Sequence, residues 1–193
     1  MSIPLRGLMA GATVLLALTL ALPLWSTYME APQYHDEETL EVTVYAGRVA
    51  GDLEEISTLN QYVGVHLPLD TPELQASPWV LGGLAGLALL LLLLTPLGWR
   101  RAAAAFLLIV LLATAGGGAV LLRQRLYEMG HVRDKPIFEG VPDFTPPLLG
   151  SAKIANFTVT TRLRAGAWCY IAAGLLLGWG VLVGERERGS SVP

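Results

Sequence analysis

The sequence predicts an all-α membrane protein, a single integral membrane domain over residues 1–193 with four transmembrane helices and a small mixed cap built from two long loops. Three observations lead there. The chain of 193 residues is 53% hydrophobic and only 15% charged, where a soluble domain carries about 25% charged residues. Its mean hydropathy is +0.51. Four apolar runs, free of Asp, Glu, Lys and Arg, are each long enough to approach the roughly 20 residues that cross a hydrocarbon core. A single cysteine, Cys169, excludes a disulfide scaffold, and a net charge of −3 argues against a nucleic-acid partner.

The runs occupy residues 7–25, 79–98, 102–122 and 165–184. The only ionisable side chains within them are Cys169 and Tyr170. In lipid, a helix is what satisfies the backbone of such a run. Residues 7–25 follow Arg6 and read as a retained signal anchor, because bulky residues in LPLWSTYMEAPQY stand where a signal peptidase needs small ones. Gly98, Trp99, Arg100 and Arg101 leave only a tight turn between the second and third runs. Glycine-rich GLAGLALL and ATAGGGAV read as helix-packing faces.

Four spans place loops 26–78 and 123–164 on one side, with both termini and the tight turn on the other. A raw count of Lys and Arg favours long loops inside. The first span argues the reverse: Arg6 precedes it and no Lys or Arg follows until Arg48. The paired Arg100 and Arg101 add to that, and the expectation is a multi-pass protein of the bacterial inner membrane with cytoplasmic termini and extracytoplasmic loops.

The first loop holds ten acidic residues, from Glu30 to Glu73. Within it LEVTVY, starting at Leu40, alternates like a half-buried strand. Asp52 and Glu55 then form a capping box for a helix carrying Leu53, Ile56, Leu59 and Val63 on one face, with Gly64 as its stop. The second loop is basic near both ends. Pro136, Pro142, Pro146 and Pro147 exclude a long helix and imply ordered coil. Thr158 to Thr161 suits a short strand or an interfacial turn. An acidic loop beside a basic one invites ion pairs between them.

Chemistry is sparse. Spans without charged groups argue against a proton or ion path. No GxSxG, HExxH or CxxC is present, so the chain is read as no enzyme. All three histidines, His35, His66 and His131, fall in the long loops, and Met29 and Met129 stand near two of them. Imidazole and thioether suit Cu(I), and these five residues form a candidate metal set. Their other reading is solvated or interfacial loop side chains.

LPLWSTYMEAPQY, LEVTVYAGRVAGDLEEISTLNQYVGV and GVPDFTPPLLGSAKIANF together resemble a small family of bacterial multi-pass proteins encoded beside nitrous-oxide reductase and its maturation genes. The likeness runs through an LPLW span end, an EAPQY string, GD-x-x-x-I-x-x-LN-x-Y-x-G, and PPL-x-G followed by NF. The resemblance implies a supporting role for a periplasmic copper enzyme: copper delivery, assembly, membrane docking or electron supply. Glu30, Gln33, Tyr34, Asn60 and Tyr62, in or beside those strings, are the candidate contacts to a membrane or periplasmic partner of a respiratory system, besides the lipid bilayer. The alternatives are copper transfer through the loop His and Met residues, or a structural subunit of another respiratory membrane complex.

Overall fold

The computed structural model describes residues 5–30, 39–63, 70–131, 143–154 and 157–189. Helix α1 (Leu5–Ala21) is followed by strands β1 (Trp25–Glu30), β2 (Leu40–Tyr45) and β3 (Arg48–Gly51). Next come helix α2 (Leu53–Val63), helix α3 (Pro72–Leu94), a single 3-10 turn (Leu97–Trp99) and helix α4 (Arg100–His131). Strands β4 (Gly150–Ile154) and β5 (Phe157–Leu163) then lead into helix α5 (Ala165–Gly189).

The all-α expectation is overturned. The five strands form one antiparallel sheet in the order β3-β2-β1-β5-β4, so the protein is mixed α and β. Four spanning helices are not found either. Three helical segments, Pro72–Leu94, Leu97–His131 and Ala165–Val183, are long and apolar enough to cross a membrane, and α1 is a shorter apolar helix. Its 17 residues rise about 26 Å. Proline explains the shortfall against residues 7–25: Pro23 has no N–H to donate and disfavours helical backbone at Leu22. The chain leaves the helix there and is extended from Trp25 onward.

The other boundaries shift for similar local reasons. Helix α3 starts seven residues before the expected position, with Pro72 in its first turn and Thr71 Oγ1 accepting from Leu74 N at 3.3 Å. It stops before Thr95 and Pro96. Helix α4 continues nine residues past 122, so Arg123, Arg125 and Glu128 belong to a helix rather than a loop. Arg125 donates to Glu73 on α3 at 2.7 Å and to Glu128 at 2.9 Å. That first bond is the pairing expected between the two loops, here held between helix ends.

Each of α1 and α4 packs between α3 and α5. The bundle core consists of Met9, Ala12, Leu16, Ala88, Ala103, Ala104, Leu107, Leu111, Ala173 and Leu177. Alanines at the contacts let helix backbones approach, which is how apolar helices associate where lipid is as apolar as leucine. Leu93, Leu94, Ile109, Leu112, Leu175 and Leu182 point outward and are exposed. An apolar surface of that extent suits a membrane.

Glycines contribute, but not the expected ones. A Cβ added at Gly82, Gly83, Gly86, Gly116, Gly117 or Gly118 would meet nothing within 4 Å. In the helices the close approaches are at Gly166 and Gly130, beneath backbone carbonyls of Leu22 and Phe144, and at Gly180 against Leu5; in the sheet Gly51 lies under the Glu41 carbonyl.

The sheet sits on one end of the bundle. Helix α1 feeds β1 and β5 feeds α5, so the central strand β1 and its neighbour β5 continue the α1–α5 pair. Leu24 N donates to Val44 O at 2.8 Å, Arg164 N to Leu24 O at 3.0 Å, and Gly166 N to Pro23 O at 2.8 Å. The hairpin of β2 and β3 leans on α3: Ser77 Oγ accepts from Gly47 N at 2.9 Å.

Candidate functional site

A strand turns successive side chains to opposite faces, and this sheet sorts them sharply. On one face lie Trp25, Thr27 and Met29 of β1, Leu40, Val42 and Val44 of β2, and Val159, Thr161 and Leu163 of β5. This face is covered. Helix α2 seats Ile56, fully buried, and Leu53 against Leu40, Val42, Met29 and Val49. The segment before β4 covers the rest, with Trp25 Nε1 donating to Leu148 O at 2.9 Å and Thr161 Oγ1 to Pro147 O at 3.0 Å.

The opposite face is predominantly polar, with Ala50 of β3 beside Thr43. Ser26, Tyr28 and Glu30 of β1 stand between Glu41 and Thr43 of β2 and Thr158, Thr160 and Arg162 of β5. Ser151 and Lys153 of β4 extend it. Near the bundle its hydroxyls form a buried chain. Thr43 Oγ1 donates to Glu41 Oε1 at 2.8 Å. A threonine hydroxyl has one hydrogen, so in the 2.8 Å contact between Ser26 Oγ and Thr43 Oγ1 the serine is the donor. The Thr43 hydroxyl holds the Glu41 carboxyl below its usual range against a smaller opposing effect of burial, with Arg164 assisting. Arg164 Nη1 also donates to Tyr28 Oη at 2.9 Å.

Further from the bundle the face opens into a recess of about 270 Å³ lined by Tyr28, Glu30, Thr39, Glu41, Thr160 and Arg162. The Arg162 guanidinium lies 5.9 Å from the centre of the Tyr28 ring, within cation–π range.

The residues singled out from the sequence are distributed unevenly. Glu30 ends β1 and lines this recess. Asn60 and Tyr62 fall in the later part of α2. Gln33, Tyr34, His35 and His66 lie outside the described residues. Met29 is on the covered face, enclosed by apolar neighbours. His131 ends α4, stacked on Tyr127 at 3.9 Å with Nδ1 at 2.9 Å from Tyr127 O. Met129 is half-buried one turn-fraction earlier on α4. Among the described residues no group of three or more His, Cys, Asp or Glu is placed to hold a metal ion. Of the copper set, Met29 thus packs at the sheet while Met129 and His131 belong to the last turn of α4.

Sequence reasoning missed Tyr28, Glu41, Arg162 and Arg164. The signal was the alternation in STYME, LEVTVY and FTVTTRL, whose charged positions and Tyr28 land on one face once the strands are paired, while Thr27 and Thr161 fall on the other.

The fold and site thus define a class: a bundle with three helices able to cross a membrane, carrying a two-faced antiparallel sheet on one end. No protein-family model and no curated protein matches the chain.

Proposed function

We propose that this protein is a non-catalytic accessory subunit anchored in the bacterial inner membrane, with its sheet held in the periplasm to dock a partner protein. The observation that carries the reading is the asymmetry of the sheet. One face is sealed by α2 and the segment before β4, while the other is predominantly polar and opens into the recess around Tyr28. A sheet that served only to cap the bundle would need no such face. The resemblance of the loops to proteins encoded beside nitrous-oxide reductase makes that periplasmic enzyme the first partner to test, in an assembly or docking role.

The test is binding of purified reductase to the full-length protein in detergent, compared with a Lys153→Glu, Thr158→Glu double variant at the far end of the open face. Loss of about tenfold or more in affinity, about 1.4 kcal/mol, supports docking through this face. Unchanged affinity overturns the face, and no binding by the wild type overturns the partner.

A further inference from the structure

We propose that the recess around Tyr28 holds the headgroup of a zwitterionic phospholipid of the phosphoethanolamine type, its phosphate on Arg162 and its ammonium beside Glu41 and Glu30. This goes beyond the docking reading and does not depend on it.

Among the described residues two charges of the recess, Arg162 and Glu30, have no ion pair, while Glu41 accepts from Thr43. Arg162 is exposed, and its one partner among the described residues is the Tyr28 ring. Glu30, also exposed, has no ion pair or side-chain hydrogen bond among them. A simple anion here would meet two carboxylates, and a simple cation would meet a guanidinium. A ligand carrying both charges complements both groups, and such complementarity is what gives specificity.

The charges are also ordered along the strands. Arg164 is the residue just before α5 and bonds to the Leu24 level. Arg162 stands across from Ser26, Glu41 across from Tyr28, and Glu30 lies two residues further out on β1. Each two-residue step is about 6.6 Å. Among the groups lining the recess the guanidinium therefore lies nearest the helices and the carboxylates further from them, with Lys153 outside the lining and level with Thr158. In a phospholipid the phosphate is attached to glycerol and lies nearer the hydrocarbon, with the amine beyond it, so the two sequences of charge match. Trp79 and Trp168, 82% and 59% exposed near the starts of α3 and α5, are placed as headgroup-level anchors at this end of the bundle. The recess measures about 270 Å³.

The experiment is thermal unfolding of the delipidated full-length protein in detergent, with phosphatidylethanolamine, phosphatidylglycerol or soluble phosphoethanolamine added. Arg162→Gln and Glu30→Gln, both at exposed positions, are measured alongside. Phosphatidylethanolamine should raise Tm by about 3–5 °C, phosphatidylglycerol by less than half of that, and each variant should lose most of the shift. A shift with soluble phosphoethanolamine as well supports the same chemistry from a non-lipid source, and its absence beside a lipid shift assigns the source to the bilayer. An equal response to phosphatidylglycerol, full retention of the shift in both variants, or no response to either amine-bearing probe overturns the proposal.

Discussion

Gly166 donates its N–H to the carbonyl of Pro23 at 2.8 Å, and this one bond seats the start of α5 under the link between α1 and β1. A Cβ at Gly166 would lie 2.7 Å from Leu22 O and 2.9 Å from Pro23 O. Thr19 Oγ1 approaches Gly166 O at 3.3 Å from the other side. The junction between bundle and sheet is therefore built on close backbone contact.

Gly166→Ala should destabilise the protein by about 1–3 kcal/mol, the usual cost of overpacking, because backbone carbonyls cannot yield as a side-chain tip can. Thermal unfolding in mild detergent reads the loss. A Tm equal to the wild type would show that the junction has slack.

Gly130 and Gly117 make a contrasting pair on α4. A Cβ at Gly130 would overlap Phe144 O, so Gly130→Ala must push the segment before β4 away from the helix. Gly117 has nothing within 4 Å, and Gly117→Ala should be neutral or stabilising by up to about 1 kcal/mol from helix propensity. Limited proteolysis between residues 132 and 150 should accelerate in the first variant and not in the second.

Thr43→Val removes the hydroxyl that links Ser26 to Glu41. Ser26, fully buried, then keeps a donor without its acceptor, at a cost of about 1–3 kcal/mol in unfolding measurements. Thr43→Ser, which keeps the hydroxyl, should recover most of it.

The same Thr43 contact sets a pH dependence. Glu41 has a folded-state pKa below its ordinary value of 4.5, so its ionised form is favoured by folding. That contribution is fully present above about pH 4.5 and is lost as pH falls through the lower folded-state value. The Tm difference between wild type and Glu41→Gln should hold from pH 7 to 5 and shrink on further acidification. A gap independent of pH down to 3 would contradict it.

Tyr170 joins α5 to α4 inside the bundle, its hydroxyl donating to Leu111 O at 2.8 Å beside Thr114 Oγ1 at 2.5 Å. Tyr170→Phe should cost about 0.6–1.7 kcal/mol, the range of interhelical hydrogen bonds in membrane bundles. Unfolding in mixed micelles is the measurement.

Some of this structure is legible residue by residue. LEVTVY is β2 at the expected boundaries, and the helix expected after Asp52 is α2, both because their periodicity is local. Asp52 does more than begin that helix: its Oδ2 accepts from Glu41 N at 2.8 Å, pinning α2 to β2. The strand β1 was hidden, since WSTYME follows an apolar run and reads as its tail. Its pattern of Trp, Thr and Met against Ser, Tyr and Glu becomes visible only when β2 and β5 flank it. The candidate site was hidden for the same reason. Tyr28 and Arg162 are more than 130 residues apart, and no periodicity links them.

What the amino-acid sequence determined by itself is where the chain is apolar enough for a membrane, where prolines end its helices, and which short segments alternate. These are properties of neighbours along the chain. Only the tertiary structure decided that strands from both long loops join into one sheet, that Met29 is packed while Tyr28 is presented, and which glycines sit under a carbonyl. Pairing of β1 with β5 is a long-range contact whose gain depends on closing loops and burying one face, and that balance is settled by the folded whole.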